Sequence, residues 1–429
     1  MKPPEGGFFV SGVSLMDSQI VLRKNFWIHL TEGAVYLSSG VLLSPQTVFP
    51  ALVVKLGGGN IAVGAIPIIV YLVYFLPQIL SANYIRSSPY RKPWALKLGI
   101  LQRIQVLFFA IAIMIFGLRS PAIALTAFFL IYISNQMLAG LGSPIWFDLV
   151  AKTTTPGDRG KLMGIRISLG AILGIVTGFL LTIILAFLKY PYNFAAVFAV
   201  AFLLQFTSWM ILRKVVETQP SVIEPHVSLD QLVVRVKDIL RKDLIYRRFL
   251  FSTAFLIVGL MPTGFFMIAA IKYYGLEESY VGFFTITIVV AQIVSGAFLG
   301  WLADRKGHKF SLLLCSAATA LATFIALISG SVFYFFLVFF FVGVNLGAEA
   351  ITRYNFVERC ASTSDRPLYV GIMNAWLAPF YFSATIGGWL IEKSGYTVIF
   401  ALGLMATLTG IYFLYRLPDP SRPRALGSG

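Results

Sequence analysis

Charge, histidine and cysteine are all scarce in this 429-residue chain. Charged side chains make up only 12%, about half the share of an ordinary soluble domain, which excludes a water-soluble globule. Cysteine occurs twice, Cys315 in an apolar run and Cys360 beside a basic loop, so there is no disulfide framework and no zinc spacing. His29, His226 and His308 are far apart, and no GxSxG or Gly-Lys-Ser/Thr phosphate loop occurs. Catalytic residues, a metal site and nucleotide-driven chemistry are therefore not expected. The first two dozen residues lack an apolar core followed by a small-residue cleavage site, so the first apolar span is expected to direct insertion. The terminal ALGSG reads as an added tail.

What the chain has in abundance is oil. Hydrophobic residues reach 58% and the mean hydropathy is +0.82, values that belong to an integral membrane protein. Crossing about 30 Å of hydrocarbon takes roughly 20 apolar residues in a helix. Twelve runs qualify: 26–50, 61–82, 95–118, 121–147, 162–187, 191–214, 249–271, 281–302, 309–329, 332–357, 369–391 and 396–416. The ten-residue alternation of a transmembrane barrel is absent, so the expected class is an all-α membrane protein with twelve transmembrane helices. Lys and Arg then orient it: the termini and even-numbered loops hold 26, the odd-numbered loops five. Both termini are expected in the cytoplasm of a cell-membrane protein. The formal charge of +16 is read as facing acidic inner-leaflet headgroups, not nucleic acid.

The loop at about 215 to 248 divides the spans six and six. Ser228 and Gln231 have capping-box spacing. Leu232, Val233, Val236, Ile239 and Leu240 recur at helical intervals opposite Arg235, Lys237, Arg241 and Lys242. An amphipathic linker helix on the cytoplasmic surface is expected. The domains are then 1–215, the linker 216–248, 249–420 and a tail 421–429. Asp158-Arg159 followed by Gly164 reappears as Asp365-Arg366 followed by Gly371, and a shift of 210 residues lays Asn135 on Asn345 and Asp148 on Glu358. Parallel repeats of a six-helix unit, as in many secondary transporters, account for this.

One motif is more specific. Between spans eight and nine stands GWLADRKGHK, Gly300 to Lys309. It resembles the major facilitator superfamily signature GxLADRxGRKxxL, with His308 in place of Arg. The first-half counterpart, SANYIRSSPYRKP, keeps only the basic residues Arg91 and Lys92. Physically, Gly300 and Gly307 allow close approach and a tight turn, while Arg305, Lys306 and Lys309 hold the loop at the basic surface. The resemblance implies that Asp304 docks near the start of span five, by Gly164 and Arg166, as a latch for the outward-facing state. A basic anchoring loop with one ion pair is the alternative. The GPxxGG run of drug/proton antiporters and the PESPR-like run of sugar porters are absent, span five having instead the stripe Gly164, Gly170, Gly174 and Gly178, which suits close packing.

Ionisable residues within spans are costly in lipid and so are functional candidates. At about 1.5 Å per residue, Glu32 lies roughly 9 Å, Arg103 roughly 12 Å and Arg166 roughly 6 Å inside the cytoplasmic ends of their spans. Glu349 and Arg353 lie near the cytoplasmic end of span ten. This cluster is expected to be an inner gate, with Glu32 and Glu349 exchanging among Arg103, Arg166 and Arg353. By the resemblance Glu32, Glu349 and Arg353 face the cavity, whereas Arg103 is structural or snorkels. Glu349 and Arg353 at i, i+4 also suit a plain intrahelical pair. Glu32, with no charged neighbour at i+3 or i+4, is the candidate proton-coupling carboxylate.

Nearer the midplane, Ser38, Asn135, Gln136, Thr263, Asn345 and Asn374 are the candidate cavity residues, with helix–helix hydrogen bonding as the alternative role. Pro45, Pro50 and Pro262 sit in the outer halves of spans one and seven and offer bends. The expected function is a proton-coupled secondary transporter of a small solute, acting as a monomer by alternating access. An uncoupled permease or lipid flippase is the alternative in the same class, and a receptor or assembly factor on the same fold is the alternative from another.

Overall fold

The computed structural model describes residues 15–85, 88–220, 229–362 and 365–418, and helices are the only regular elements among them. Eleven are long and apolar enough to cross a membrane: Gln19–Lys55, Asn60–Gln78, Lys92–Phe116, Pro121–Thr153, Arg159–Phe187, Tyr192–Leu212, Leu244–Tyr274, Ser279–Lys306, His308–Leu327, Val332–Cys360 and Tyr396–Arg416. They are spans one to ten and twelve. Span eleven is two helices, Arg366–Leu377 and Ser383–Ser394, joined by a 3-10 turn, Ala378–Phe382. The chain is a multi-pass membrane protein with a twelve-helix architecture.

The expected breaks in spans one and seven are present. In span one the helix tightens to a 3-10 turn at Gly40–Leu43 and restarts at Val48–Lys55, with Pro45 in the gap and Pro50 in the restarting turn. In span seven the 3-10 turn Met261–Gly264 contains Pro262. A proline lacks the amide that would continue the ladder, so each break falls where the sequence removes a donor. Two further breaks were not read from the sequence. Span two has a π-turn, Ile69–Val73, between Pro67 and Pro77, and span eleven breaks at Pro379.

Within the first half, span one packs on five and six, span three on four and six, and span two on four. The second half repeats this, with seven on twelve, eight and nine on ten, and nine on twelve. Two seams join the halves: span five against eight, and span two against eleven. Missing side chains make both seams close. A Cβ on Gly64 would lie 2.3 Å from the Ala384 carbonyl oxygen, one on Gly388 2.3 Å from that of Asn60, and one on Gly282 2.1 Å from Thr182 Oγ1. From the span-five stripe, Gly170 packs on Leu37, Gly174 on Val41 and Val289, and Gly178 on Ile286. All these contacts lie away from the basic loops. At the basic end, a Cβ on Gly164 or Gly300 would meet nothing within 4 Å. The close approach expected at Gly300 is thus absent, whereas Gly307 makes the expected turn at φ 92°.

The linker belongs to both bundles. Asn25 in span one receives the Val216 amide and donates to the Val216 carbonyl. The Glu217 carboxylate accepts the backbone amides of Arg91 and Lys92 at the start of span three and pairs with Lys152 Nζ at 2.6 Å, a favourable place for an anion. The linker helix Leu229–Lys242 turns Val236, Ile239 and Leu240 onto the core around Tyr246 and Phe249. Its apolar face therefore meets the second bundle, while Arg235, Lys237, Arg241 and Lys242 are exposed. Asp243 caps span seven by accepting the Tyr246 amide. Ser228, His226 and the tail 421–429 lie outside the described residues, as do the side chains of Gln231, Leu232 and Val233.

Candidate functional site

Glu32 is 2% exposed and faces two guanidiniums from other helices. Arg103 of span three approaches its Oε1 at 3.7 Å and Arg166 of span five its Oε2 at 3.5 Å. Ser208 of span six donates to Oε1 at 3.0 Å. Arg103 does not snorkel: it is 5% exposed, donates to the carbonyls of Gln205 and Gly99, and lies over the Tyr36 ring. Turning inward replaces water with three fixed acceptors, which a lipid-facing position does not offer. Arg166 lies 4.2 Å over the Trp146 ring. Two glycines make the room. A Cβ on Gly33 would fall 1.3 Å from Arg166 Nε, and one on Gly99 2.9 Å from Arg103 Nη1. His29, one turn before Glu32, is fully buried and bonds Thr153 Oγ1 at 2.8 Å. Thr153 already donates to the Leu149 carbonyl, so the imidazole Nε2 is the donor.

The second half carries a different arrangement. Glu349 and Arg353 form an intrahelical pair at 3.3 Å, and Arg353 is 5% exposed. Tyr381 of span eleven lies within hydrogen-bonding reach of Arg353 and stacks on Tyr71 of span two at 3.9 Å. The π-turn of span two carries Tyr71 and the 3-10 turn of span eleven carries Tyr381, so the two irregular stretches meet across a seam. In this conformation Glu32 pairs with Arg103 and Arg166, and Glu349 with Arg353. Each carboxylate thus meets arginine from its own half.

The candidate cavity residues separate. A central cavity of about 60 Å³ between the halves is lined by Gln46, Tyr71, Thr263, Thr319, Asn345 and Tyr381 among others. A second, of about 220 Å³ in the first bundle, borders Glu32, Arg103 and Arg166. Thr263 and Asn345 thus line the central cavity, but Ser38, Asn135, Gln136 and Asn374 line neither. Ser38 is buried and its hydroxyl donates to the Val35 carbonyl. Gln136 is half-buried, and Asn374 accepts from Tyr354 at 3.5 Å. The amides of Asn135 and Asn345 hold neighbouring spans, donating to the carbonyls of Gln102 and Cys315. A polar side chain in oil takes the first carbonyl it meets, and for these two it belongs to the adjacent helix.

In the signature loop, Lys309 Nζ donates to the carbonyls of Tyr415 and Leu417 at the end of span twelve, and Arg305 lies 4.4 Å over Trp301. Asp304 is exposed and does not reach span five. At the opposite end, Lys55 at the end of span one meets Glu278 before span eight at 2.5 Å, and Thr47 bonds Thr285 at 2.6 Å. Tyr396 donates to Asn60 at 3.2 Å. The halves are polar-bonded at this end.

Sequence reading missed Gly33, Tyr36, Trp146, Ser208, Tyr71 and Tyr381. Only Gly33, next to an intramembrane carboxylate, left a local signal.

Comparison with known proteins bears on this twelve-helix bundle and its loop. Residues 250–429 match the Major Facilitator Superfamily. Over 146 residues, 34% of the chain, it is 23% identical to the cis,cis-muconate transport protein of Acinetobacter baylyi. Over 150 residues, also 34%, it is 27% identical to myo-inositol transporter 3C of Cryptococcus neoformans. These matches span 35% and 25% of the relatives' own lengths. The structure of a POT family transporter in complex with 5-aminolevulinic acid superposes with a TM-score of 0.70 at 13% identity, covering 98% of this chain and 99% of that one. The second half of the chain is thus similar to the major facilitator superfamily, and the relatives it matches are transporters and not enzymes.

Proposed function

We propose that the protein is a secondary transporter that moves a small solute across the cell membrane by alternating access, coupled to protons through Glu32. The supporting observation is the asymmetry of the two ends. The halves touch at the end carrying Lys55, Glu278, Gly64 and Gly388, while Gly164 and Gly300 at the basic end face open space. With the basic loops in the cytoplasm, this is an inward-facing conformer. The latch between Asp304 and the start of span five belongs to the opposite one. Glu32 supports coupling because it is a buried carboxylate bordering a cavity, with Oε2 accepting no hydrogen bond.

Uptake into proteoliposomes, with and without a pH gradient, tests the reading on solutes chosen from a pooled thermal-stabilisation screen. A pH gradient is expected to drive accumulation by the wild type, and Glu32→Gln is expected to abolish that drive while leaving exchange. Accumulation by Glu32→Gln with unchanged pH dependence would falsify the coupling role. Equilibration without accumulation by the wild type would point to an uncoupled permease.

A further inference from the structure

The first-bundle site holds more positive than negative charge. We infer that it binds the carboxylate of a small apolar-bodied organic anion, with Arg166 as the principal ligand and Glu32 as the group the anion displaces. This rests on the transporter reading and adds the class of its solute.

Four observations carry it. First, one carboxylate, Glu32, faces two guanidiniums, Arg103 and Arg166. The other titratable groups at the site, Tyr36 on the same span, Tyr74 on span two and the hydrogen-bonded His29, add no negative charge in their neutral forms. An excess cation in a low-dielectric interior is weakly screened and so attracts an anion strongly. Second, Arg166 is not saturated. Its buried Nε has no hydrogen-bond partner, one face lies on Trp146, and the 3.5 Å contact to Glu32 is long beside the 2.7–2.9 Å typical of charge-assisted bonds. Arg103, by contrast, already donates to two carbonyls and Ser208. Third, Glu32 Oε2 accepts no hydrogen bond, so Glu32 holds Arg166 by charge alone. A bidentate carboxylate would compete well for it. Fourth, the adjoining cavity of about 220 Å³ is walled largely by apolar groups, Leu98, Leu138 and Ala139 with the Trp146 ring, with Gln102 and Ser143 as neutral polar groups. Such walls suit an apolar body behind the carboxylate better than a hydrated inorganic anion.

Displacement also supplies the coupling. When the anion occupies Arg166, Glu32 loses one of its two counter-ions and takes up a proton from water. One negative charge enters and one is neutralised, so the empty and loaded sites carry the same charge. Each anion then travels with one proton, and a pH gradient drives it while the membrane potential does not.

The test uses the full-length protein in detergent and in proteoliposomes, with benzoate and hexanoate as probes against their methyl esters and inorganic phosphate. Benzoate or hexanoate is expected to raise the melting temperature and to quench tryptophan fluorescence, and the esters and phosphate to do neither. Arg166→Gln is expected to weaken binding at least about tenfold, the loss of one charge-assisted hydrogen bond, with Arg166→Lys falling between. Glu32→Gln is expected to tighten it about tenfold and to flatten its pH dependence, because the competitor has gone. A merely structural Glu32 would give the opposite sign. Equal effects of acids and esters, or tighter binding of phosphate than of benzoate, overturn the proposal. So does uptake of a neutral solute that Arg166→Gln leaves intact, although that result keeps the transporter reading. Absence of uptake for every solute that stabilises the protein sinks the transporter reading instead.

Discussion

The two halves repeat a fold but not a charge arrangement. In the first, Glu32, Arg103 and Arg166 come from three different spans and meet only through packing. In the second, Glu349 and Arg353 sit on one helix, a turn apart. The first arrangement has an excess cation, room cut for it by Gly33 and Gly99, and a cavity beside it. The second is a neutral pair closed over by Tyr71 and Tyr381. Symmetry of the backbone therefore leaves chemistry free to concentrate in one bundle. The half in which charges must be assembled in three dimensions is the one whose charged residues border a cavity.

Removing the carboxylate from each half should expose the difference most strongly. Glu32→Ala leaves two guanidiniums facing one another and is expected to destabilise by about 3–5 kcal/mol. Glu349→Ala leaves one cation that still has Tyr381, at about 1–3 kcal/mol. Thermal melting in detergent ranks them, and Arg166→Leu added to Glu32→Ala should recover part of the loss. Equal losses from the two single variants would erase the contrast.

A smaller change tests geometry instead of charge. The Cβ of Gly33→Ala would occupy the place of Arg166 Nε, yet that side chain is long and can move aside. Uptake is expected to fall at least about tenfold, roughly 1.4 kcal/mol, with little change in melting. Normal uptake would show that the Arg166 position is unimportant.

Asn135 and Asn345 probe where the halves are alike. Each donates to the neighbouring span's carbonyl, so Asn135→Ala and Asn345→Ala should each cost about 0.6 kcal/mol, the usual worth of such a bond in a membrane bundle. Only Asn345 lines the central cavity, so a change in solute selectivity is expected from Asn345→Ala alone.

The smallest effect belongs to the joined end. Lys55 and Glu278 are 43% and 27% exposed in their side chains, and such a pair contributes about 0.2–1 kcal/mol. Lys55→Gln should shift the balance between conformers by no more than about fivefold, read by alkylation of a cysteine placed at Gly164. A larger shift would make this pair the principal outer lock.

Much of the molecule was legible in the chain. Spans follow from lengths of apolar sequence, the breaks in spans one and seven from Pro45 and Pro262, and the Glu349–Arg353 pair from the rise of a helix. The breaks in spans two and eleven were not, because Pro67, Pro77 and Pro379 resemble the prolines that membrane helices absorb without breaking. Asn135 and Asn345 were visible as polar residues, but which carbonyl each would reach depended on the neighbouring helix.

By itself, the sequence determined a multi-pass helical membrane protein, its basic end, its repeat and its signature loop, since each depends on residues close together in the chain. Tertiary structure alone decided that Arg103 turns inward, that Arg166 fits over Gly33, and that Tyr71 meets Tyr381. Those contacts join residues from separate helices, and the packing of helices, fixed by glycines and close approach, brings them within reach.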